Sequence, residues 1–166
     1  MLDNARKYKE EINKKLIDTW YDDKYKYYHV GNWHREYNPP EDERERMCFV
    51  SLDKDKNVLG LILYSLDRNI SSVYDFGAIN FSDNKFVFGK DLYQVIDDIF
   101  CKFNMQRIEW NVVCGKPIEK SYDKMVAKYG GRIIGTRKRV TKLLDNQIYD
   151  DKIYEILRED YLKSKQ

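Results

Sequence analysis

The stretch FSDNKFVFGKDLYQVIDDIF, Phe81 to Phe100, changes period in its middle. Before Gly89 the apolar residues follow no helical stripe. After it, Leu92, Val95, Ile96, Ile99 and Phe103 recur at the three- and four-residue spacing that places side chains on one face of a helix. Just ahead lie Val73, Phe76, Ala78, Ile79 and Phe81, a short apolar set suited to a strand. The reading is a strand that passes through a tight turn at Gly89 directly into an amphipathic helix running to about Lys102. A strand-to-helix turn of this kind raises the question of what is held at the start of the helix.

Working outward, composition limits the answers. With 166 residues, 42% hydrophobic and 35% charged, the chain can bury one real core and is too short to suggest two, so residues 1–166 read as a single domain. No apolar run approaches membrane-spanning length, and MLDNARKYKEEINKK is charged where a signal peptide needs an apolar centre. The expectation is a cytoplasmic protein with no membrane partner. Cys48, Cys101 and Cys114 are odd in number and lack metal-type spacing, which fits buried free thiols, and no metal is expected. A formal net charge of +2 gives no strong signal for nucleic acid.

Ala5, Tyr8, Ile12, Leu16 and Trp20 form an amphipathic stripe through the first twenty residues. The following WYDDKYKYYHVGNWHREYNPPEDERER has no sustained period, and Pro39-Pro40 cannot continue a helix, so it reads as a short helix and a long loop. MCFVSL, VLGLILYSL and SSVYDFGAINF, separated by the turn-forming DKDKN and DRN, predict a three-strand antiparallel meander. After the helix comes the strand IEWNVV, Ile108 to Val113. Pro117 suits the first turn of a further helix with the stripe Ile118, Tyr122, Met125, Val126 and Tyr129, closed at Gly130-Gly131. RIIGTRKRVTKLL and IYDDKIYEIL then flank a hairpin turn at Asp145-Asn146-Gln147, and REDYLKSKQ reads as a charged tail. The fold class is α/β (α+β): a mixed, mostly antiparallel sheet of about six to seven strands with helices on both faces.

That order, with FVFGKDL at the strand-to-helix junction, KPIEKSYDKMVAKYGGR before the hairpin and LLDNQIYDDKIYEILREDY at its close, resembles the GNAT superfamily of acyl-CoA-dependent N-acetyltransferases. The closing segment is similar to that of ribosomal-protein-type acetyltransferases. The resemblance spans roughly Arg46 to Tyr161 and implies acetyl-CoA as co-substrate. Its pyrophosphate would lie on unpaired N–H groups at the positive end of a helix. Carried over, the family's Arg/Gln-x-x-Gly-x-Gly/Ala loop falls on Asn84, Lys85, Phe86, Val87, Phe88 and Gly89, and only Gly89 matches. Lys85 and Lys90 add positive charge. The family's Asn, Ser and Tyr fall on Lys116, Ser121 and Met125, so the usual proton donor to the leaving thiolate is replaced by a thioether. Tyr122 is the nearest alternative hydroxyl in sequence and the candidate catalytic donor in its place, with Tyr129 also near; both lie on the apolar stripe, where a core role is the other reading.

Acetyl transfer to an amine needs positioning, an N–H to polarise the thioester carbonyl, and removal of an ammonium proton. By the same resemblance, a splay between the strand ending at Phe81 and the strand Ile108–Val113 would expose backbone to the pantetheine arm, with Asn80, Phe81 and Ser82 as candidates. Asp75 and Glu109 are the carboxylates on the bordering strands, each a base or a solvated surface group; alternation puts Glu109 and Asn111 opposite Ile108, Trp110 and Val112. Cys114 ends a strand near the expected thioester and reads as an inert thiol before an acyl-cysteine. His29 and His34 have no metal spacing. Arg132, Arg137, Lys138, Arg139 and Lys142 make one strand basic, for phosphates, an acidic partner, RNA or solvent. The leading expectation is transfer of an acetyl group from acetyl-CoA to a primary amine, on a small molecule or on a peptide or protein, by direct attack in a ternary complex. The aromatic, acidic Trp20–Tyr37 loop would shape the acceptor side. The alternative is a catalytically degenerate GNAT-fold module that binds CoA or a protein partner. Nucleic acid is not expected, because acidic residues interrupt the Tyr- and Lys-rich segment. A homodimer is compatible with the sequence.

Overall fold

This computed structural model describes residues 1–28 and 36–166. The elements run β1 (Leu2–Asn4), a 3-10 turn (Ala5–Tyr8), α1 (Lys9–Thr19), a second 3-10 segment (Asp23–Tyr28), β2 (Arg46–Leu52), β3 (Val58–Asp67) and β4 (Ser72–Asn80). Then follow α2 (Lys85–Asp97), a π-helical turn (Asp98–Lys102), β5 (Arg107–Val113), α3 (Glu119–Lys128), β6 (Arg132–Lys142), β7 (Ile148–Leu157) and α4 (Arg158–Lys163). Among the described residues, seven strands form one sheet in the order β1-β2-β3-β4-β5-β7-β6, with every neighbouring pair antiparallel except β4 and β5. No helix among the described residues is long and apolar enough to cross a membrane.

Alternation along the strands builds two cores. Leu61 joins the cluster under α1, with Ile12, Val50, Leu52 and Ile79, whereas the next residue, Ile62, joins the cluster under α2 and α3. Helices therefore cover both faces. α2 brings Phe88, Val95 and Ile96 to its cluster, and the π-helical turn adds Ile99 and Phe100, each buried side chain contributing about 1.5–3 kcal/mol. The Gly130-Gly131 stop behaves as expected: Gly130 is left-handed at φ +69°, and Gly131 N–H returns to the Val126 carbonyl at 2.7 Å. Asn146 is also left-handed, at φ +62°, in the hairpin turn.

Four expectations are corrected. The opening helix is preceded by a strand, β1, which extends the sheet beside β2 through Leu2↔Ser51. The charged tail is in part a helix, α4, whose Tyr161 is buried against Phe100 with ring centroids 4.7 Å apart. Of the cysteines only Cys48 is buried; Cys114 is half-buried and Cys101 exposed. The tight turn is not at Gly89: α2 begins at Lys85, capped by the Asn84 side chain, which accepts the Val87 N–H at 3.2 Å. Gly89 lies in the second helical turn.

Candidate functional site

The centre of the sheet opens. The only ladder pairs joining parallel β4 and β5 are Ser72↔Arg107 and Val73↔Ile108. Two residues later β4 carries a bulge: against β3 the register passes from Ser65↔Tyr74 to Leu63↔Gly77, so Tyr64 alone faces both Asp75 and Phe76. Asp75 takes the left-handed conformation at φ +50° and is exposed. A bulge adds local twist and bends its strand, and here β4 leaves β5 at that point, while β5 continues along β7 to Val113↔Asp151. Beyond the bulge, among the described residues, β4 has no strand partner along its β5 side and β5 has none along its β4 side. At the base of the gap Phe76 and Trp110 meet edge to face at 6.4 Å. The buried Trp110 indole N–H has no acceptor among the described residues.

The 3-10 segment Asp23–Tyr28 forms a strap across the open end. The Tyr25 hydroxyl donates to the Asn80 carbonyl at the tip of β4, at 3.2 Å, and Lys24 pairs with Asp83 at 3.1 Å. On the other side Tyr27 meets Tyr149 edge to face, and Lys26 lies 3.9 Å from Asp145 in the hairpin. Tyr28 receives Lys116 Nζ at 3.4 Å from its ring centroid. The strap occupies part of the Trp20–Tyr37 segment expected on the acceptor side; His29 and His34 lie outside the described residues.

The start of α2 borders the same end. The Lys85 N–H bonds the Asp83 carbonyl, the Val87 N–H the Asn84 side chain and the Phe88 N–H the Asn84 carbonyl, leaving the Phe86 N–H without an acceptor among the described residues. The Phe86 side chain is 83% exposed, Lys85 and Lys90 are exposed, and a Cβ on Gly89 would touch nothing within 4 Å. Phe88 is instead a core residue packed on Gly60, so its side chain is not free for a ligand.

Several expected residues are placed otherwise than expected. The backbone of Asn80, Phe81 and Ser82 is already engaged: the Asn80 carbonyl by Tyr25, the Phe81 N–H by Leu59 and the Ser82 N–H by the Asn80 side chain. The freed edge lies earlier, along the segment after Asp75. Met125 is buried among the sheet-facing core residues of α3, away from solvent, so it cannot present a group to the gap without repacking the core. Tyr122 packs edge to face on Trp110 at 5.7 Å and beside Tyr154, and burial drives its hydroxyl well above the usual phenol range, against a role as acid. Tyr129 packs against Tyr93 and Tyr161. Ser121 is exposed on α3. Burial also raises the Cys114 thiol, which keeps it an inert thiol.

Glu109 belongs to a charge ladder across three strands. It pairs with Arg107, which lies 2.7 Å from Glu155 on β7, and Glu155 in turn holds Arg132 of β6 at 2.7 Å. Its carboxylate is thus spent on a cation, which argues for structure over proton abstraction. Glu155→Gln, removing the buried anion shared by two guanidinium groups, is expected to cost about 2–3 kcal/mol in urea denaturation. Among the described residues no three His, Cys, Asp or Glu side chains converge as a metal site. Of the basic residues on β6, Arg132 and Lys138 have acidic partners, Lys138 in Asp150 at 2.9 Å.

No protein-family model matches the sequence, and no curated protein sequence matches it. Solved structures do match. A variant of the spermidine N-acetyltransferase SpeG from Vibrio cholerae aligns at TM-score 0.75 over 100% of this chain and 98% of that one, with 19% identity. The ribosomal-protein-S5-alanine acetyltransferase from Vibrio fischeri aligns at TM-score 0.75 over 96% of this chain and 93% of that one, with 15% identity. Identities this low speak for architecture alone, a mostly antiparallel sheet with one parallel pair and helices on both faces: this chain has the GNAT fold.

Proposed function

We propose that the protein is an N-acetyltransferase that uses acetyl-CoA to acetylate a primary amine by direct attack in a ternary complex. The observation that carries this reading is the bulge at Asp75, where β4 parts from β5 and two strand edges have no ladder partner among the described residues. Unsatisfied backbone groups facing a gap need partners. The pantetheine arm carries amides of matching hydrogen-bonding character. The Phe86 N–H, Lys85 and Lys90 would meet the phosphates, with the open space over Gly89 admitting them. Asp75 would accept the amine proton.

The matched structures are named for acetylation of spermidine and of a ribosomal protein's alanine, both amine acceptors. Aromatic rings on the strap, with the carboxylate of Asp23 and that of Asp22 just ahead of it, suit a cationic amine here as well. The test is calorimetry with CoA, then thiol release from acetyl-CoA across spermidine, aminoglycosides and peptides bearing a free N-terminus or lysine. Saturable CoA binding with release on one acceptor class is the expected result. CoA binding without release on any acceptor would favour the second reading, a degenerate CoA-binding or protein-interaction module. That reading draws on the α2 start, where Asn84 already occupies a donor that phosphates would otherwise use.

Gly89 gives a sharper check than activity. Because a side chain there meets no protein atom, Gly89→Ala should leave the fold intact and stabilise the helix by about 0.5–1 kcal/mol. The bulkier Gly89→Val should weaken CoA binding about tenfold or more by occupying the phosphate approach. A folded Gly89→Val protein with unchanged CoA affinity would move the phosphates elsewhere.

A further inference from the structure

Acyl transfer from a thioester leaves a thiolate, and the hydroxyl that would protonate it in the resembled enzymes is replaced here by the core residue Met125. Among the groups at the open end of the gap, Lys116 is the one built for that step. Its backbone is pinned in a tight turn after β5: Gly115 stands at φ +87°, the Lys116 N–H returns to the Val113 carbonyl at 3.1 Å, and the Lys116 carbonyl accepts the Glu119 N–H at 2.9 Å. The side chain is thereby sent to the strap, where Nζ lies over Tyr28, and the strap itself is tied through Tyr25 to the tip of β4. Tyr25 and Tyr28 are in ring contact at 5.9 Å, so the tyrosine pair and Lys116 form a bridge from one diverging strand tip to the other.

No counter-charge meets Lys116 among the described residues. On α3, Glu119 is taken by Lys152 and by the Gly115 N–H, and Tyr122 is held in its aromatic cluster. On β7, Asp150 holds Lys138, and Asp151 accepts from Asn111 and Thr141. On the strap, Lys26 lies toward Asp145. Within its own turn stands the Cys114 thiol, raised and therefore neutral. A half-buried ammonium with an aromatic face and no anion is complementary to an anion that arises only during reaction.

We propose that Lys116 is the proton donor to the departing thiolate of CoA, a role that rests on the acetyltransferase reading above. The amine nitrogen bonds to the carbonyl carbon, the carbon–sulfur bond breaks, and the electron pair left on sulfur takes a proton from Lys116 Nζ; the neutral lysine regains one from water. Burial lowers the Lys116 ammonium from its ordinary 10.5 to about 8, near the ~8.5 of a free cysteine thiol, so the proton transfer is close to balanced. The ammonium is present below that value and lost as pH rises through it. Activity should therefore fall on the alkaline side with a midpoint near 8.

The experiment uses the full chain. Calorimetry with CoA comes first, followed by thiol release against pH for wild type, Lys116→Met and Lys116→Arg. Lys116→Met is expected to lose about 100-fold in kcat at neutral pH with CoA affinity unchanged. Lys116→Arg keeps the positive charge but cannot give up a proton, so it should lose most of the rate and the alkaline limb with it, whereas a wild-type rate would make the residue a fixed counter-charge and overturn the assignment. Full kcat with an unchanged limb in Lys116→Met overturns the assignment. So does a loss confined to CoA affinity, which would make Lys116 a counter-charge for phosphate. Should Lys116→Met misfold, the Lys116→Arg profile decides alone. A titration of the Lys116 side chain by NMR, independent of turnover, overturns the proposal if its midpoint stays near 10.5. Absence of CoA binding by wild type is seen before any variant and overturns the acetyltransferase reading itself.

Discussion

Gly60→Val is expected to lower stability by about 3 kcal/mol and the thermal midpoint by about 6–12 °C. A Cβ at Gly60 would stand 2.5 Å from the Ile79 carbonyl oxygen and would overlap the Phe88 ring. The carbonyl belongs to β4, whose ladder with β3 begins at the adjacent pair Gly60↔Asn80, so it cannot move without breaking the sheet just before the strand tip. The ring belongs to α2, and pushing it outward shifts the helix start that carries the Phe86 N–H. Stability and CoA affinity should therefore fall together. Phe88→Leu in the Gly60→Ala background should recover part of the loss, because the two side chains compete for one space. An unchanged midpoint in Gly60→Val, read by thermal or urea denaturation, would show that α2 is not seated on this glycine.

The contrast between what the sequence announced and what it concealed follows from the range of the interactions. The meander, the helix stop at Gly130-Gly131 and the hairpin at Asn146 rest on local periodicity and on residues whose backbone preferences are strong, so they were legible. The start of α2 was misplaced because Phe86, Val87 and Phe88 read as an apolar run, whereas on the helix Phe88 points inward and Phe86 outward. Asn84 was the available signal, since Asn is a favoured helix cap. β1 has three residues and α4 six, each too short for a period to show. Their places are set by the neighbours they pack on, β2 for the first and Phe100 for the second. The role of Glu109 depends on Arg107, Glu155 and Arg132 arriving from three strands, and Lys116 meets its aromatic partner Tyr28 on a strap more than eighty residues away. Neither is written in a local pattern. The bulge was hidden for another reason: a left-handed residue in a strand is usually glycine, and here it is Asp75.

That choice makes Asp75 the position where backbone and side-chain roles can be separated. A left-handed backbone costs an ordinary L-residue about 1–2 kcal/mol, less for Asn and Asp, little for Gly and most for a β-branched side chain. Asp75→Asn and Asp75→Gly should therefore keep the bulge and a stability within about 1 kcal/mol of wild type, while removing the carboxylate. If that carboxylate accepts the proton of the attacking amine, both variants lose about 100-fold in turnover at neutral pH and bind CoA as before. The deficit should shrink as pH rises, because the acceptor then arrives already neutral. Asp75→Val acts on the backbone as well. It disfavours the conformation that bends β4 away from β5, so it should destabilise the protein by about 2 kcal/mol and weaken CoA binding along with turnover. Rates at wild-type level in Asn and Gly, with loss in Val alone, would leave Asp75 as a shaper of the gap and return the proton to water. Full stability, affinity and rate in all three would mean that the parting of β4 from β5 is fixed elsewhere, and the gap at the centre of the sheet would no longer locate the chemistry.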